Sequence, residues 1–451
     1  MDRDRRAETS IAPPSGDGYS AAMPEESRTR VIRDPIWDTI RLDPIAVQIV
    51  DTGAFQRLRY IRQLGLAHLV YPGATHTRFD HALAVYHLAK TALRFLRQRG
   101  PVPEEVWEGE ELIPYAALLH DIGHYAFSHA LEELESDQLP GDHEAMSARF
   151  FESPELRDAL GPLGPAAGDR IYGLIRGTES LPLRGLVNGS LDLDKMEYLR
   201  RDARFCGVPY GEVDVDRLLQ GMALLKDPES GLYEVGVHEK AVASLESLLF
   251  AKYQMFRNVY WHHGVRAATA LYKRIVEEAV RLGVVEPDEL VGPTDEEILF
   301  EIRNRAANGG VEGTERLLEE WLPALRHRRL PKRALELTAA DLAEMKIPDW
   351  LGIESSRKRA LEDRIAFRLE LSPGEVVIDY PVKAAMFQLN ILLERRDGRV
   401  ARVGPGGLPG VIDLPRVTPE LYQTARVLRV FTFRRRMLTP EDLLEVVRES
   451  V

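Results

Sequence analysis

One cysteine, Cys206, stands among 451 residues, which excludes an intrachain disulfide and any cysteine-rich zinc site. Long apolar runs are missing too. The longest, such as Ala116 to Leu119, fall far short of the ~20 residues that a membrane helix needs, and the first residues are too charged for a secretory signal. A cytoplasmic location with no membrane partner is expected. Positive charge is in deficit: 59 Lys and Arg against 71 Asp and Glu leave a formal net charge of −12. That argues against a coat for duplex DNA, so a nucleic-acid partner is not favoured, while a local basic cleft for phosphates is still allowed. What is there, 44% apolar and 29% charged residues, is the composition of an ordinary folded protein with chain for roughly three domains.

Residues 1–30 carry Pro, Gly, Ser and charge without an apolar period and read as a disordered arm. Between Val31 and Asp51 the pairs Asp34-Pro35 and Asp43-Pro44 punctuate short segments; then Phe55, Leu58, Ile61 and Leu64 recur at helical spacing. Amphipathic stretches follow around Leu83 to Leu96, Leu112 to Leu134, Ala145 to Phe151, Leu191 to Phe205 and Val242 to Leu282, so the fold is expected to be mainly α. Beyond about Pro287 the helices become more charged, and Glu375 to Tyr380 and Arg399 to Val403 read as short strands around the turn-rich stretch Gly404 to Gly410. A small mixed α+β lobe is expected over 286–451. Near its end, Leu421 to Phe433 fits strand or helix, and Thr439 caps a short helix with Pro440 at its first position.

Eight of the 12 histidines, His68, His76, His81, His87, His120, His124, His129 and His143, precede residue 144. Histidine is both a common metal ligand and the usual proton shuttle near neutral pH. In Leu118-Leu119-His120-Asp121-Ile122-Gly123-His124, a continuous helix would place His120 and His124 only ~40° apart and offer imidazole and carboxylate together. A catalytic divalent ion needs more ligands than these. Thr75 to Leu83 can add His81 with Arg78 on the same helical face, and Leu191 to Asp202 puts positions 194, 198, 201 and 202 within an arc of ~100°. Taken alone, each segment equally fits satisfied histidines or a solvated helix laced with local ion pairs.

The order His81, His120-Asp121, Asp194 is the H…HD…D pattern of the HD-domain metal-dependent phosphohydrolases. The likeness extends further. Asp51-Thr52, Phe55-Gln56-Arg57-Leu58-Arg59-Tyr60-Ile61, Gln63-Leu64-Gly65, Tyr71-Pro72-Gly73-Ala74, His76, Arg78-Phe79 and Asp192 to Tyr198 closely resemble the SAM and HD domain deoxynucleoside triphosphate triphosphohydrolases and their bacterial relatives. The resemblance covers about Val31 to Leu282 well and the remainder loosely. It implies a helical HD domain over 31–285, with no SAM domain expected ahead of it.

By this resemblance His81, His120, Asp121 and Asp194 would hold a divalent metal, for which Fe, Mn, Zn, Ni and Mg are all chemically admissible, with an additional Mg accompanying the nucleotide. His143 with Glu144 would deliver a proton to the leaving oxygen, while His124 and His129 line the same cavity and contact phosphate or orient water. Arg78, Lys195 and Lys252 would neutralise the triphosphate, although Lys252 stands where the family pattern has an arginine. Gln63, with Leu64 beside it, and Asp202 resemble residues that hold the sugar 3′-hydroxyl; Tyr198 and Tyr260 resemble aromatics packed on the deoxyribose. Asp51, Gln56 and Arg59 match positions that read a guanine nucleotide between subunits, which implies a guanine or deoxynucleotide effector and a homo-oligomer, dimer or tetramer. The implied reaction is metal-dependent hydrolysis of a dNTP to deoxynucleoside and inorganic triphosphate. A phosphodiesterase or exonuclease of the same superfamily, acting on nucleotides or single strands, is the alternative. A nucleotide sensor or nucleic-acid scaffold without needed chemistry is the third.

Overall fold

The computed structural model describes residues 29–134, 143–347, 355–381, 389–404, 407 and 414–449, so the arm expected over 1–30 lies almost wholly outside the described residues. The fold is mainly α with small sheets. It opens on an antiparallel hairpin, β1 (Arg30–Asp34) and β2 (Asp38–Leu42), where the sequence shows only punctuation. Asp34 accepts from the backbone N–H groups of Ile36 and Trp37, which tightens the turn and aims the indole of Trp37 inward.

The long helix Arg78–Gln98 starts on a capping box in which Thr77 and Asp80 satisfy each other's backbone N–H groups. Its inner face, including Phe79, Ala82, Leu83, Tyr86 and Ala89, is buried. Against it pack Ile113–Leu119, in which every residue is buried, and Leu193–Cys206. Together with Val242–Met255 these helices enclose the first core. A π-helical turn, Phe256–Tyr260, separates that helix from His263–Arg281, and such turns are recurrent at functional sites because they redirect side chains without ending the helix.

Strands β3 (Met222–Lys226) and β4 (Tyr233–His238) pair with β7 (Ile391–Glu394) and β8 (Val400–Val403) in the order β3-β4-β7-β8, so residues far along the chain close the first core. A second sheet, β5 (Lys332–Thr338), β9 (Val427–Thr432) and β6 (Val376–Asp379), runs β5-β9-β6 and is antiparallel throughout. The ambiguous stretch near the C-terminus is therefore both things: a helix over Leu414–Ala425 and then β9. Thr439 does cap Pro440–Arg448, through a capping box with Asp442. Among the described residues no helix is long and apolar enough to cross a membrane.

Candidate metal centre and substrate cavity

Three helices supply the donors. His81 comes from the first turn of Arg78–Gln98, Asp194 from the first turn of Leu193–Cys206, and His120-Asp121 from the turn that follows Ile113–Leu119. The expectation of one continuous helix from His120 to His124 fails here. The helix ends at Leu119, and the backbone continues in three-residue turns, with Ile122 N–H donating to Leu119 O (3.0 Å) and His124 N–H to Asp121 O (3.0 Å). Phe127 then adopts the left-handed conformation (φ 54°), a strained state for a bulky residue, and starts the short helix Ser128–Leu131 that carries His129.

Distances across the cluster are short enough for one cation to reach every donor. His81 Nε2 lies 3.1 Å from His120 Nε2 and 3.0 Å from Asp194 Oδ1. His120 Nε2 is 3.6 Å from Asp194 Oδ1 and 3.3 Å from Asp121 Oδ1. Both imidazoles have committed their other nitrogen: His81 Nδ1 donates to Glu197 Oε2 (2.6 Å), and His120 Nδ1 donates to the carbonyl of Ala117 (2.8 Å). With both Nδ1 atoms protonated, two Nε2 lone pairs would face each other across 3.1 Å, an arrangement that only a proton or a cation between them relieves. Two imidazoles and the carboxylates of Asp194 and Asp121 thus fit a divalent ion of borderline or hard character.

The electrostatics of the donors are strongly coupled. Burial disfavours a charged His81, but hydrogen bonds to Asp194 and Glu197 and the field of Asp121 outweigh it and raise the imidazole to about 10. His120 is also raised, with Asp121 and Asp194 overcoming burial. Burial likewise opposes the charge on Asp121 and Asp194, yet Arg78 and the histidines around them keep both carboxyls well below the usual range.

Behind His81 runs a buried ionic relay that sequence reading did not identify. Glu197, fully buried, also accepts from Arg201 Nε (2.6 Å) and from Trp37 Nε1 (3.0 Å), and Arg201 donates onward to Asp34 (2.8 Å). Arg201, placed by its spacing near the site face, instead points into this relay. Glu197 is one turn from Asp194, so only its partner, 116 residues away, was hidden.

A cavity of about 690 Å³ opens beside the cluster. His120, Asp121, Asp194, His124, His129, Gln63, Leu64, Arg78, Lys195, Tyr198, Asp202, Lys252 and Tyr260 all line it, as do Arg62, Glu132, Glu133 and Arg266, which no motif singled out. His81 sits behind that wall with its ring fully buried. His143 and Glu144 open the helix His143–Phe151, and their side chains lie outside the described residues. His124 spans Asp121 Oδ1 (3.1 Å) and Ser128 Oγ (2.6 Å), and His129 Nδ1 lies 3.3 Å from Glu132 Oε2.

Two of the cations that the resemblance assigns to phosphate are paired within the protein. Arg78 Nη1 donates to Asp121 Oδ2 at 2.7 Å, and Lys195 holds Asp192 and the carbonyl of Gly189 (3.0 Å). Both oxygens of Asp202 are taken, Oδ1 by His76 Nε2 (2.8 Å) and Oδ2 by the Tyr260 hydroxyl (2.6 Å), which fixes the carboxylate in place. The buried side-chain oxygen of Gln63 has no hydrogen-bond partner among the described residues. Asp51, Gln56 and Arg59 stand away from the cavity: Asp51 pairs with Arg30 (2.7 Å), while Arg59 bonds Gln56 (2.8 Å) and stacks over Phe79.

Comparison with known proteins agrees with this geometry. Residues 78–176 match the HD domain, and residues 213–402 match the HD associated region. An uncharacterised protein of Methanocaldococcus jannaschii is 30% identical over 381 residues, which cover 83% of this chain and 75% of that protein. The deoxynucleoside triphosphate triphosphohydrolase SAMHD1 of Gallus gallus is 31% identical over 265 residues, 52% of this chain, and the match spans only 42% of that enzyme's length. A phosphohydrolase from Bacteroides thetaiotaomicron shares the fold, with a TM-score of 0.67 at 22% identity over 90% of this chain and 100% of that one. The HD and HD associated matches, which together span 78–176 and 213–402, around a paired imidazole and carboxylate centre make the protein a member of the HD-domain phosphohydrolases.

Proposed function

We propose that the protein hydrolyses deoxynucleoside triphosphates to deoxynucleoside and inorganic triphosphate. One observation carries this reading: a single cavity is lined by His120, Asp121 and Asp194 of the donor cluster, by the cations Arg78, Lys195 and Lys252, and by the wall of Gln63, Tyr198, Asp202 and Tyr260. Charge, reacting centre and sugar each have a place. A divalent ion held by His81, His120, Asp121 and Asp194 supplies Lewis acidity and a lowered pKa for water.

The side chains do the rest. Arg78 and Lys195 trade part of their bonding to Asp121 and Asp192 for phosphate oxygens, which keeps a polyanion from meeting bare carboxylates. Water adds to the α-phosphorus, the bond from phosphorus to O5′ breaks, and O5′ must receive a proton. A histidine oriented by a carboxylate suits that delivery. His143 with Glu144 is the assignment from resemblance, and among the described residues the pair His129 and Glu132 meets the same requirement at 3.3 Å. Asp202, locked by His76 and Tyr260, keeps its remaining lone pairs for a sugar 3′-hydroxyl.

Incubating the metal-loaded protein with dGTP is expected to release intact triphosphate and deoxyguanosine. Nucleoside monophosphates from an oligonucleotide, with dGTP untouched, would move the assignment to a phosphodiesterase or exonuclease. The same assay reads the proposed control by a guanine nucleotide at Asp51, Gln56 and Arg59 in an oligomer: a rate raised by a second nucleotide supports it, and a plain hyperbola with every nucleotide pair counts against it.

Tyr260→Ala removes a ring from the sugar wall together with the hydroxyl that holds Asp202. Discrimination against rGTP, measured as the ratio of kcat/KM for dGTP and rGTP, is expected to fall by about 10- to 200-fold, the range for filling or emptying a small apolar volume. An unaltered ratio places the gate elsewhere.

A further inference from the structure

Four charged groups that the reaction does not use close a ring at the edge of the cavity. Arg266 grips two carboxylates at once: its Nε and Nη2 donate to Asp379 (2.8 and 2.5 Å), and its Nη1 and Nη2 donate to Glu133 (2.9 and 2.6 Å). Lys273, two helical turns further along the same face of His263–Arg281, reaches Glu133 (2.8 Å) and Asp379 (3.5 Å). Two cations balance two carboxylates, so the ring is neutral. Arg266, Lys273 and Asp379 are buried, and the attraction within the ring holds Glu133 and Asp379 ionised against the pull of burial.

Such a ring is a poor way to gain stability alone, because desolvating four ionic groups opposes most of their attraction. Its placement points to geometry instead. Glu133 is the residue after Glu132 and sits in the turn that ends the helix carrying His129. Asp379 ends β6 of the C-terminal sheet, and Pro381, two residues on, lines the cavity together with Arg266 and Glu133. The ring therefore ties the backbone of the His129 and Glu132 pair to both the helix His263–Arg281 and the sheet β5-β9-β6.

We propose that Arg266, Lys273, Glu133 and Asp379 are positioning residues that fix the His129 and Glu132 pair, so that the C-terminal lobe sets the alignment of proton delivery. The proposal rests on the reading of that pair given under Proposed function. None of the four needs to touch the reacting atoms. Arg266 acts as a two-sided fork, a task that a lysine ammonium cannot perform.

The test uses the full metal-loaded chain and compares Glu133→Gln, Arg266→Lys and His129→Ala, with Lys273→Gln as a milder loosening of the same turn. Glu133→Gln and Arg266→Lys are expected to keep metal content and to leave KM for dGTP within about threefold. Their kcat should fall by about 10- to 100-fold, the scale on which misplacing a catalytic group acts, and Lys273→Gln should fall less in the same direction. A merely structural ring would lower the melting temperature and leave kcat of the folded fraction at the wild-type value. That result in both Glu133→Gln and Lys273→Gln, with His129→Ala inactive, overturns the ring proposal while sparing the reading of the pair. Full activity in His129→Ala overturns both.

Discussion

His81→Ala is expected to lose hydrolysis to background and to lose its metal with it, falling from about one equivalent per chain toward none, because it removes one of only two imidazoles and leaves His120 with two carboxylates, a weaker set for a borderline ion. Elemental analysis beside the dGTP assay checks this, and a variant that keeps both metal and activity removes His81 from the site. The same residue gives the centre a pH signature. In the metal-free protein the His81 imidazole is raised to about 10, so at pH 7 to 9 the ion must displace that proton. Apparent metal affinity should therefore rise by up to about tenfold per pH unit over that range for each proton displaced. A proton that binds the folded state more tightly than the unfolded one stabilises the fold fully below the unfolded pKa, near 6.5, and that contribution disappears as pH climbs through about 10. Chelated protein should accordingly melt several degrees lower at pH 10 than at pH 7 by more than the loaded protein does. Equal shifts for the two forms would show that His81 carries no such proton.

How far this centre can be read from residues alone depends on the range of each interaction. His120-Asp121 are neighbours, and the spacing of Arg78 to His81 and of Asp194 to Tyr198 and Asp202 is set by the helix, so the candidate groups within each segment were legible, while their grouping into one centre came from the resemblance to the HD-domain family. The helical core was legible for the same reason, through apolar periodicity over long stretches such as Arg78–Gln98. Errors arise where the period is short or tertiary contacts decide. The hairpin of β1 and β2 has only five residues per strand, most of them not buried, and so leaves little alternation to see. His120 and His124 share a helical phase on paper, yet the helix stops at Leu119, and the two rings reach the site by turns. Glu197, Trp37 and the ring around Arg266 announce nothing locally. Their partners lie 116, 160 and 113 residues away, and a charged helix looks the same whether its charges meet water or one another.

Glu197→Ala is therefore the more instructive substitution, because it attacks the metal centre from behind without removing a donor. The carboxylate receives three hydrogen bonds, from His81 Nδ1, Arg201 Nε and Trp37 Nε1, and all are lost together. Arg201, itself fully buried, keeps only Asp34, so one positive charge in the interior is left without its nearer partner. Breaking one side of a buried ion pair costs about 3–5 kcal/mol. At about 1 °C per kcal/mol for a chain of 451 residues, the melting temperature should drop by roughly 3–5 °C. His81 would also lose the acceptor that keeps its proton on Nδ1, which frees the ring to turn and to present a protonated Nε2 to the ion; metal affinity should fall about 10- to 100-fold. Glu197→Gln separates the two effects. Its amide keeps the shape but can accept on one side only and places a donor against either His81 or Arg201, so one contact must fail whichever way it points. Titration with Mn²⁺ at fixed pH, alongside thermal unfolding of the metal-free form, reads both consequences. If both variants bind the ion as the wild type does, the orientation of His81 is set by packing around the helix Arg78–Gln98, and the relay through Glu197 serves the fold alone.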